Sequence, residues 1–176
     1  VVNFDIDKSI EILERTPLAI ESLLEGLNKD WIYSIEGDEK WSVHKVVSHL
    51  IYGERTTWTP RLEMIMSNFP TKEFEPTDDV EEHFDKMSEK SMRELIFQLK
   101  YLREINVDIV QAYNIKEKDL NSSATHPDLG TVTLKELLST WVVHDLAHLT
   151  QISRIMAKKY AKEVGPWENQ LGILKL

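Results

Sequence analysis

Residues 133 to 160 carry a strong helical pattern. Thr133 followed by Glu136 makes a capping-box sequence, which marks the start of a helix. Apolar residues then recur at the three- and four-residue spacing of a buried helix face: Leu134, Leu137, Leu138, Trp141, Val142, Ile152 and Ile155. The Gly-Pro pair at 165–166 ends the pattern. A helix this long with one apolar face has to pack against other elements, so the pattern favours a helical protein.

Three upstream segments also predict helices. The first lies between Asp7 and Leu27, with Ile20, Leu23, Leu24 and Leu27 facing inward. We expect Thr16-Pro17 to interrupt it, because threonine can cap a helix that begins at proline. The second runs from about Ser42 to Met66, with Ser42 as its cap and a possible kink at Thr59-Pro60. The third runs from about Ser88 to Tyr113.

The connections predict loops rather than further domains. Residues 28–41 and 68–78 lack periodicity, and residues 114–132 have room for a short strand or hairpin. The chain of 176 residues shows no repeat and no linker between domains. We therefore expect residues 1–176 to form one domain of the all-α class, a single four-helix bundle.

Composition excludes several classes of function. A formal net charge of −9 argues against a nucleic-acid partner, because phosphate binding needs a basic surface. The absence of cysteine excludes disulfides, thiolate metal sites and a cysteine nucleophile. No apolar run reaches the roughly 18 residues of a membrane span, and the first residues lack the pattern of a signal peptide. We expect a cytoplasmic protein that binds no membrane.

Histidines on two apolar helix faces are the strongest indication of function. His144 and His148 stand four residues apart, so their imidazoles share one face of the fourth helix, and that face is the apolar stripe. His49 continues an apolar row of the second helix, through Val46, Leu50 and Gly53. Two such rows can face each other inside a bundle. Three histidines with an open position are a common ligand set for a catalytic zinc-type metal.

Each histidine also has an alternative interpretation. A buried histidine is often a hydrogen-bonded structural residue, although three without a common partner would be hard to satisfy. We expect His44 to be exposed and His83 to be solvated near a helix start. His126, in a His-Pro-Asp sequence, is the best candidate for an additional group near the site.

Two further polar residues are candidates for a role in catalysis. Glu54, about one turn beyond His49, could be a general base or could orient a metal ligand, and its alternative is a surface ion pair. Gln151 lies on the stripe beside the histidines and could orient a ligand or water. The chain lacks the His-Glu-X-X-His signature of zinc proteases, a repeated Glu-X-X-His motif, a Gly-rich phosphate loop and a Gly-X-Ser-X-Gly elbow.

The sequence resembles the DinB-like (DinB/YfiT-like) superfamily along nearly its whole length. The matching motifs are Trp-Ser at 41–42 with His-Leu at 49–50 and Glu54, then Trp-Thr-Pro-Arg at 58–61, then the segment from His-Pro at 126–127 to Arg154, which includes Trp-Val-Val-His-Asp-Leu at 141–146. Val-Gly-Pro-Trp at 164–167 extends the match.

The resemblance implies an up-down-down-up four-helix bundle that is often dimeric. It implies a metal held by His49, His144 and His148, with Zn²⁺ or Ni²⁺ as the expected ion. Members include S-transferases that use bacillithiol, a mycothiol-dependent isomerase and proteins named as metal-dependent hydrolases. Our leading hypothesis is therefore a metal-dependent enzyme acting on a small molecule, either by hydrolysis or by transfer to a low-molecular-weight thiol. The alternatives are a non-catalytic bundle with a structural metal and a small-molecule-binding protein.

Overall fold

A computed structural model describes residues 4–76 and 80–175. The first three residues, and the end of the loop predicted for residues 68–78, lie outside this described part. The helices are α1 (Ile6–Leu24), α2 (Lys29–Ile32), α3 (Val43–Thr56), α4 (Trp58–Met66), α5 (Val80–Ser88), α6 (Met92–Ala112) and α7 (Leu134–Lys158). Strands β1 (Ser123–His126) and β2 (Gly130–Thr133) form an antiparallel hairpin before α7, with Ser123 opposite Thr133.

Four long helical arms make a bundle, as the sequence predicts. Helices α1 and α3 each pack against both α6 and α7, and α4 continues the α3 arm along α6 and α7. The capping box at the start of α7 is present, because the Thr133 hydroxyl accepts from the Glu136 amide and the Glu136 carboxylate accepts from the Thr133 amide. Ser42 caps α3 as predicted.

The predicted break at Thr16-Pro17 is wrong, because α1 runs through the proline. Pro17 has no amide hydrogen, so the carbonyl of Leu13 loses its usual donor within the helix. Arg103 of α6 replaces that donor, with Nη1 2.6 Å from the Leu13 oxygen. The Thr16 hydroxyl turns back to the carbonyl of Ile12 instead of capping a new helix.

Two other boundaries differ from the prediction. The second predicted helix divides at Thr57, two residues before the expected kink, and Pro60 falls in the first turn of α4, where a missing amide costs little. The third predicted helix begins later, at Met92. A capping box between Ser91 and Glu94 fixes this start, and α5 lies between the loop predicted for residues 68–78 and this helix, where no element was predicted.

The buried apolar residues form two clusters along the bundle. One joins the C-terminal part of α1 to α3, the start of α6 and the end of α7. The other joins α4, the end of α6 and the start of α7 around Trp58 and Trp141. Trp141 and Ile152 of α7 belong to different clusters. Between them in the helix lie three polar residues: His144, Asp145 and His148. The fold thus places a polar layer between two apolar ones.

No helix among the described residues is long and apolar enough to cross a membrane.

Candidate metal centre

Three histidines from two helices meet in this layer. Nε2 of His144 lies 3.1 Å from Nε2 of His49 and 3.1 Å from Nε2 of His148. The potential ligand atoms of all three lie within 4.8 Å of one another. The three imidazoles are partly accessible to solvent. The structure therefore brings together the three histidines that the sequence singled out.

The spacing of these nitrogens suits a shared cation. Two nitrogens bound to one zinc ion at about 2.0–2.1 Å in tetrahedral geometry would lie about 3.3 Å apart, close to the spacing observed. Hydrogen bonds alone do not satisfy the group. When His148 donates its Nδ1 hydrogen, its Nε2 carries a lone pair. Nε2 of His144 is close to Nε2 of both His49 and His148, and a single N–H on it can point fully at only one of them. A cation among three lone pairs would satisfy all of them.

Charge on these rings is disfavoured. Burial, together with repulsion from His148 and His83, lowers the pKa of His49 to about 4. Burial also lowers the pKa of His144 to about 3, together with repulsion from His148, His49 and Arg103. The pKa of His148 is lowered by burial, while its hydrogen bond to Gln151 and the charge of Asp145 act in the opposite direction. All three imidazoles are thus neutral near pH 7, which is the form that binds metals.

Among the residues that the structure describes, His148 alone of the three has a hydrogen bond at Nδ1. Nδ1 of His148 lies 2.8 Å from Oε1 of Gln151. Nδ1 of His49 and Nδ1 of His144 are buried and have no hydrogen-bond partner within the described part of the chain. Aromatic packing holds these two rings instead: the ring centroids of Trp41 and His49 are 4.8 Å apart, and Trp58 and His144 form a T-shaped pair with centroids 5.1 Å apart.

Glu54 is buried, at 2 % exposure, so the surface ion pair considered for it is wrong. Its Oε1 accepts from Nη2 of Arg103 at 2.7 Å and from the Trp141 indole at 3.1 Å, and its Oε2 accepts from Asn106. Arg103 also pairs with Asp145 through both of its Nη atoms, at 2.6 and 3.0 Å. The carboxylate of Glu54 therefore belongs to a buried network beside the histidines.

The expectations for two other histidines are wrong. His44 is 5 % exposed and donates from Nε2 to the carbonyl of Lys90, 2.8 Å away, because the turn before α6 covers it. His83 is buried in α5, and its Nε2 donates to the carbonyl of Ser48 at 2.8 Å. His44 thus joins α3 to the turn before α6, and His83 joins α5 to α3.

His126 does not join the three histidines. It lies in β1, where Nδ1 accepts from the Asp128 amide and the ring packs against Phe74. Among the histidines, aspartates and glutamates of the described residues, the group contains no fourth member. A tetrahedral cation held by these three side chains would have one further position for water or substrate.

Several residues of the site were missed at the sequence level. Arg103 and Asn106 fall on the apolar row of α6 that runs from Leu99 to Val110, which is where a buried charge could have been detected. Trp58, which packs against His144, also stacks on Trp141, with centroids 5.5 Å apart. We call this tryptophan pair the aromatic wall of the site; it uses two of the five tryptophans.

Comparison with known proteins gives the family and the fold of the chain. The model of the DinB superfamily matches residues 12–152. The chain belongs to the DinB superfamily. Among solved structures, it is similar to YfiT from Bacillus subtilis, with 20 % identity and a TM-score of 0.71 over 89 % of this chain and 90 % of that one. YfiT has an unusual four-helix bundle topology, and this likeness confirms the predicted fold. The comparison with curated proteins gives no match.

Proposed function

We propose that the protein is a metal-dependent enzyme, of the hydrolase type, that acts on a small molecule. The observation that carries this proposal is the convergence of three Nε2 atoms, from His49, His144 and His148, on one point. YfiT, whose fold the chain shares, is named a probable metal-dependent hydrolase. When bound, a divalent cation supplies Lewis acidity and makes a water molecule more acidic.

The residues around the histidines would have separate tasks. Gln151 fixes the tautomer of His148 by accepting its Nδ1 hydrogen, which directs the lone pair of Nε2 toward the centre. Trp41 and Trp58 pack on His49 and His144 and keep water away from the sides of these rings. Glu54 acts at a distance, through Trp141 and Arg103, since its buried oxygens already accept three donors. We therefore assign it a positioning role and not that of a general base, which has to reach the substrate.

Zn²⁺ or Ni²⁺ is the ion that we propose. Neutral imidazoles suit both ions, and with no cysteine in the chain no thiolate competes for the site. The lowered pKa values of His49 and His144 keep both imidazoles neutral at neutral pH, so that one nitrogen of each ring has a free lone pair. The choice between the two ions is decided by the affinity of the purified protein for each.

Transfer to a low-molecular-weight thiol is a second candidate reaction. The chain has no cysteine of its own, so sulfur chemistry at this centre would need a thiol cosubstrate. A cation favours thiolate over thiol, which would activate such a cosubstrate. Release of product that depends on an added thiol, and not on water, would distinguish this reaction from hydrolysis.

A structural metal site is the main alternative to an enzyme. Structural zinc sites are usually closed by four protein ligands. Here Glu54 is bound by other donors, Gln151 accepts from His148 and His126 packs against Phe74. This supports a centre that is open to substrate over a closed structural site. A small-molecule-binding protein would share the open centre but would show no turnover.

Metal analysis tests the proposal. Protein purified without a His-tag is stripped, incubated with excess Zn²⁺, Ni²⁺ or Mn²⁺, desalted and assayed for bound metal. We expect one ion per chain in the wild type, and weaker binding, with less metal retained after desalting, in His49→Ala, His144→Ala and His148→Ala. His126→Ala, outside the group, serves as the control. Substoichiometric metal in the wild-type protein under all three conditions would refute the metal centre, and absence of turnover across ester, amide and thiol-transfer substrates would favour the non-catalytic alternatives.

We also propose that residues 1–176 form one domain and that the protein is a cytoplasmic homodimer. The family model supports one domain over residues 12–152, which is most of the chain. A light-scattering mass near 20.5 kDa, the mass of one chain, would contradict the dimer.

A further inference from the structure

One guanidinium group connects all four arms of the bundle. Arg103 projects from α6, donates to the carbonyl of Leu13 in α1, and pairs with Glu54 in α3 and Asp145 in α7. It is 2 % exposed, and these bonds use both Nη atoms. Burying a charge of this kind is costly unless it is fully paired, so the residue is expected to have a task beyond packing.

Pro17 leaves a free carbonyl on α1 for Arg103 to bind. A proline inside a helix leaves the carbonyl four residues earlier without its amide donor, and here that carbonyl belongs to Leu13. The freed oxygen is the acceptor that Arg103 reaches at 2.6 Å. Arg103 is thus held by α1 as well as by the two carboxylates, and its fork has one fixed orientation.

The two carboxylates stand close to the histidines along their own helices. Asp145 directly follows His144 in α7, and Glu54 lies five residues after His49 in α3. The spacing between His144 and His148 is set within α7 by the helix itself. The position of His49 relative to this pair depends on how α3 packs against α7, and Arg103 bridges these two helices.

We propose that Arg103 is a positioning residue that keeps His49 in register with His144 and His148. The inference rests on the proposed metal centre, because register among the three Nε2 atoms matters to a shared cation. Loss of the bridge leaves the His144–His148 pair intact but moves the third ligand. The expected consequence is a centre that binds metal through two histidines in place of three.

A double-mutant cycle on metal affinity tests this role. Zn²⁺ affinity is measured by competition with a chromophoric chelator for the wild type, Arg103→Lys, His49→Ala and the double variant. Lysine keeps the buried charge but not the fork. We expect Arg103→Lys to weaken binding by about 10–100-fold, the usual effect of losing a residue that orients a ligand. In the His49→Ala background the same change should have almost no effect, since the ligand that it positions is gone.

Absorption spectra of bound Co²⁺ give a second readout. The spectrum of Arg103→Lys should resemble that of His49→Ala, whereas a purely structural role would leave the spectrum of the folded variant like the wild type. Glu54→Gln keeps the shape of the side chain and removes the charge that faces Arg103; if its amide oxygen keeps the Arg103 and Trp141 contacts, its NH₂ group faces the Asn106 donor. This variant should shift affinity and spectrum in the same direction. If either variant is unfolded without metal, its affinity is taken from the Zn²⁺ dependence of folding, with the folding equilibrium included.

The outcomes separate the two proposals. A wild-type protein that binds no Zn²⁺ refutes the metal centre and this inference together. Strong binding by the wild type with equal losses for Arg103→Lys in both backgrounds, or with no loss at all, overturns the positioning role alone. Val110→Ala is the matched control. It removes buried volume from α6, the helix of Arg103, but within the apolar cluster around Trp58 and Trp141 and without touching the charge bridge. An equal loss of affinity in Val110→Ala would also overturn the proposal, since any loosening of α6 would then suffice.

Discussion

Nδ1 of His148 lies 2.8 Å from Oε1 of Gln151, on the same face of α7. The amide oxygen accepts the ring hydrogen and leaves Nε2 of His148 as the free lone pair, 3.1 Å from His144. We predict that Gln151→Ala lowers divalent-metal affinity by about 10–100-fold, because the ring loses the hydrogen bond that orients it. Isothermal titration with Zn²⁺ measures the change.

A second substitution at the same position, Gln151→Glu, provides a positive control. A carboxylate is a stronger acceptor for the Nδ1 hydrogen, so this variant should bind metal at least as tightly as the wild type. Gln111, exposed on α6, provides the neutral control when it is changed to alanine. Equal affinities for Gln151→Ala and Gln111→Ala would show that Gln151 has no role in orienting His148.

Much of the bundle could be predicted because its long helices carry strong local signals. The capping box at Thr133 and the apolar stripe of α7 depend only on nearby residues, so the sequence alone locates the start of this helix. The break at Pro17 was predicted wrongly for a reason that lies outside α1. Its helix continues because Arg103, 86 residues away in the chain, supplies the missing donor.

The candidate site also combines residues that local spacing predicts with residues whose environment depends on distant parts of the chain. His144 and His148 are neighbours by helical spacing, and His49 could be assigned to them from its apolar row. The burial of His44 and His83 could not be predicted, because it depends on the turn before α6 and on α5, which the periodicity did not identify. A surface ion pair stayed open as an alternative for Glu54 for a similar reason: its partners Arg103 and Trp141 come from distant helices.

Gly53 gives a prediction about the aromatic wall. A Cβ at this position would lie 3.0 Å from Nε1 of Trp58, and Trp58 cannot retreat because it stacks on Trp141. We expect Gly53→Ala to destabilise the protein by about 1–3 kcal/mol through overpacking, although alanine favours a helix. Urea denaturation measures the difference.

Gly172→Ala is the control for this substitution, since a Cβ there meets nothing within 4 Å. It should leave the free energy of unfolding within about 0.5 kcal/mol of the wild type, as surface changes usually do. A Gly53→Ala variant that is as stable as the wild type would show that Trp58 has freedom to move, and would weaken its assignment as a fixed wall for His144.

Pro17 and Arg103 should be coupled in stability. Arg103→Met removes the guanidinium donor from the Leu13 carbonyl and from Asp145, and one of the three donors from Glu54, so we expect a loss of about 3–5 kcal/mol. In a Pro17→Ala background the new amide satisfies the Leu13 carbonyl, so the same change should cost about 1 kcal/mol less. Chemical denaturation of the four proteins measures the coupling, and strictly additive effects would contradict it.

The metal-free protein should lose stability as the pH falls below about 6.5, the ordinary pKa of histidine. Folding lowers the pKa of His49 to about 4 and that of His144 to about 3, so between these values and 6.5 the unfolded chain binds protons that the folded chain does not. Protons therefore drive unfolding in this range, and the free energy of unfolding rises with pH until about 6.5.

His144→Gln removes one titrating ring and should flatten this rise. Urea denaturation of chelator-treated protein at pH 4.5, 5.5, 6.5 and 7.5 measures the free energy of unfolding. His126→Gln, outside the buried group, should keep the wild-type slope, and a His144→Gln slope equal to it would contradict the burial of a neutral His144.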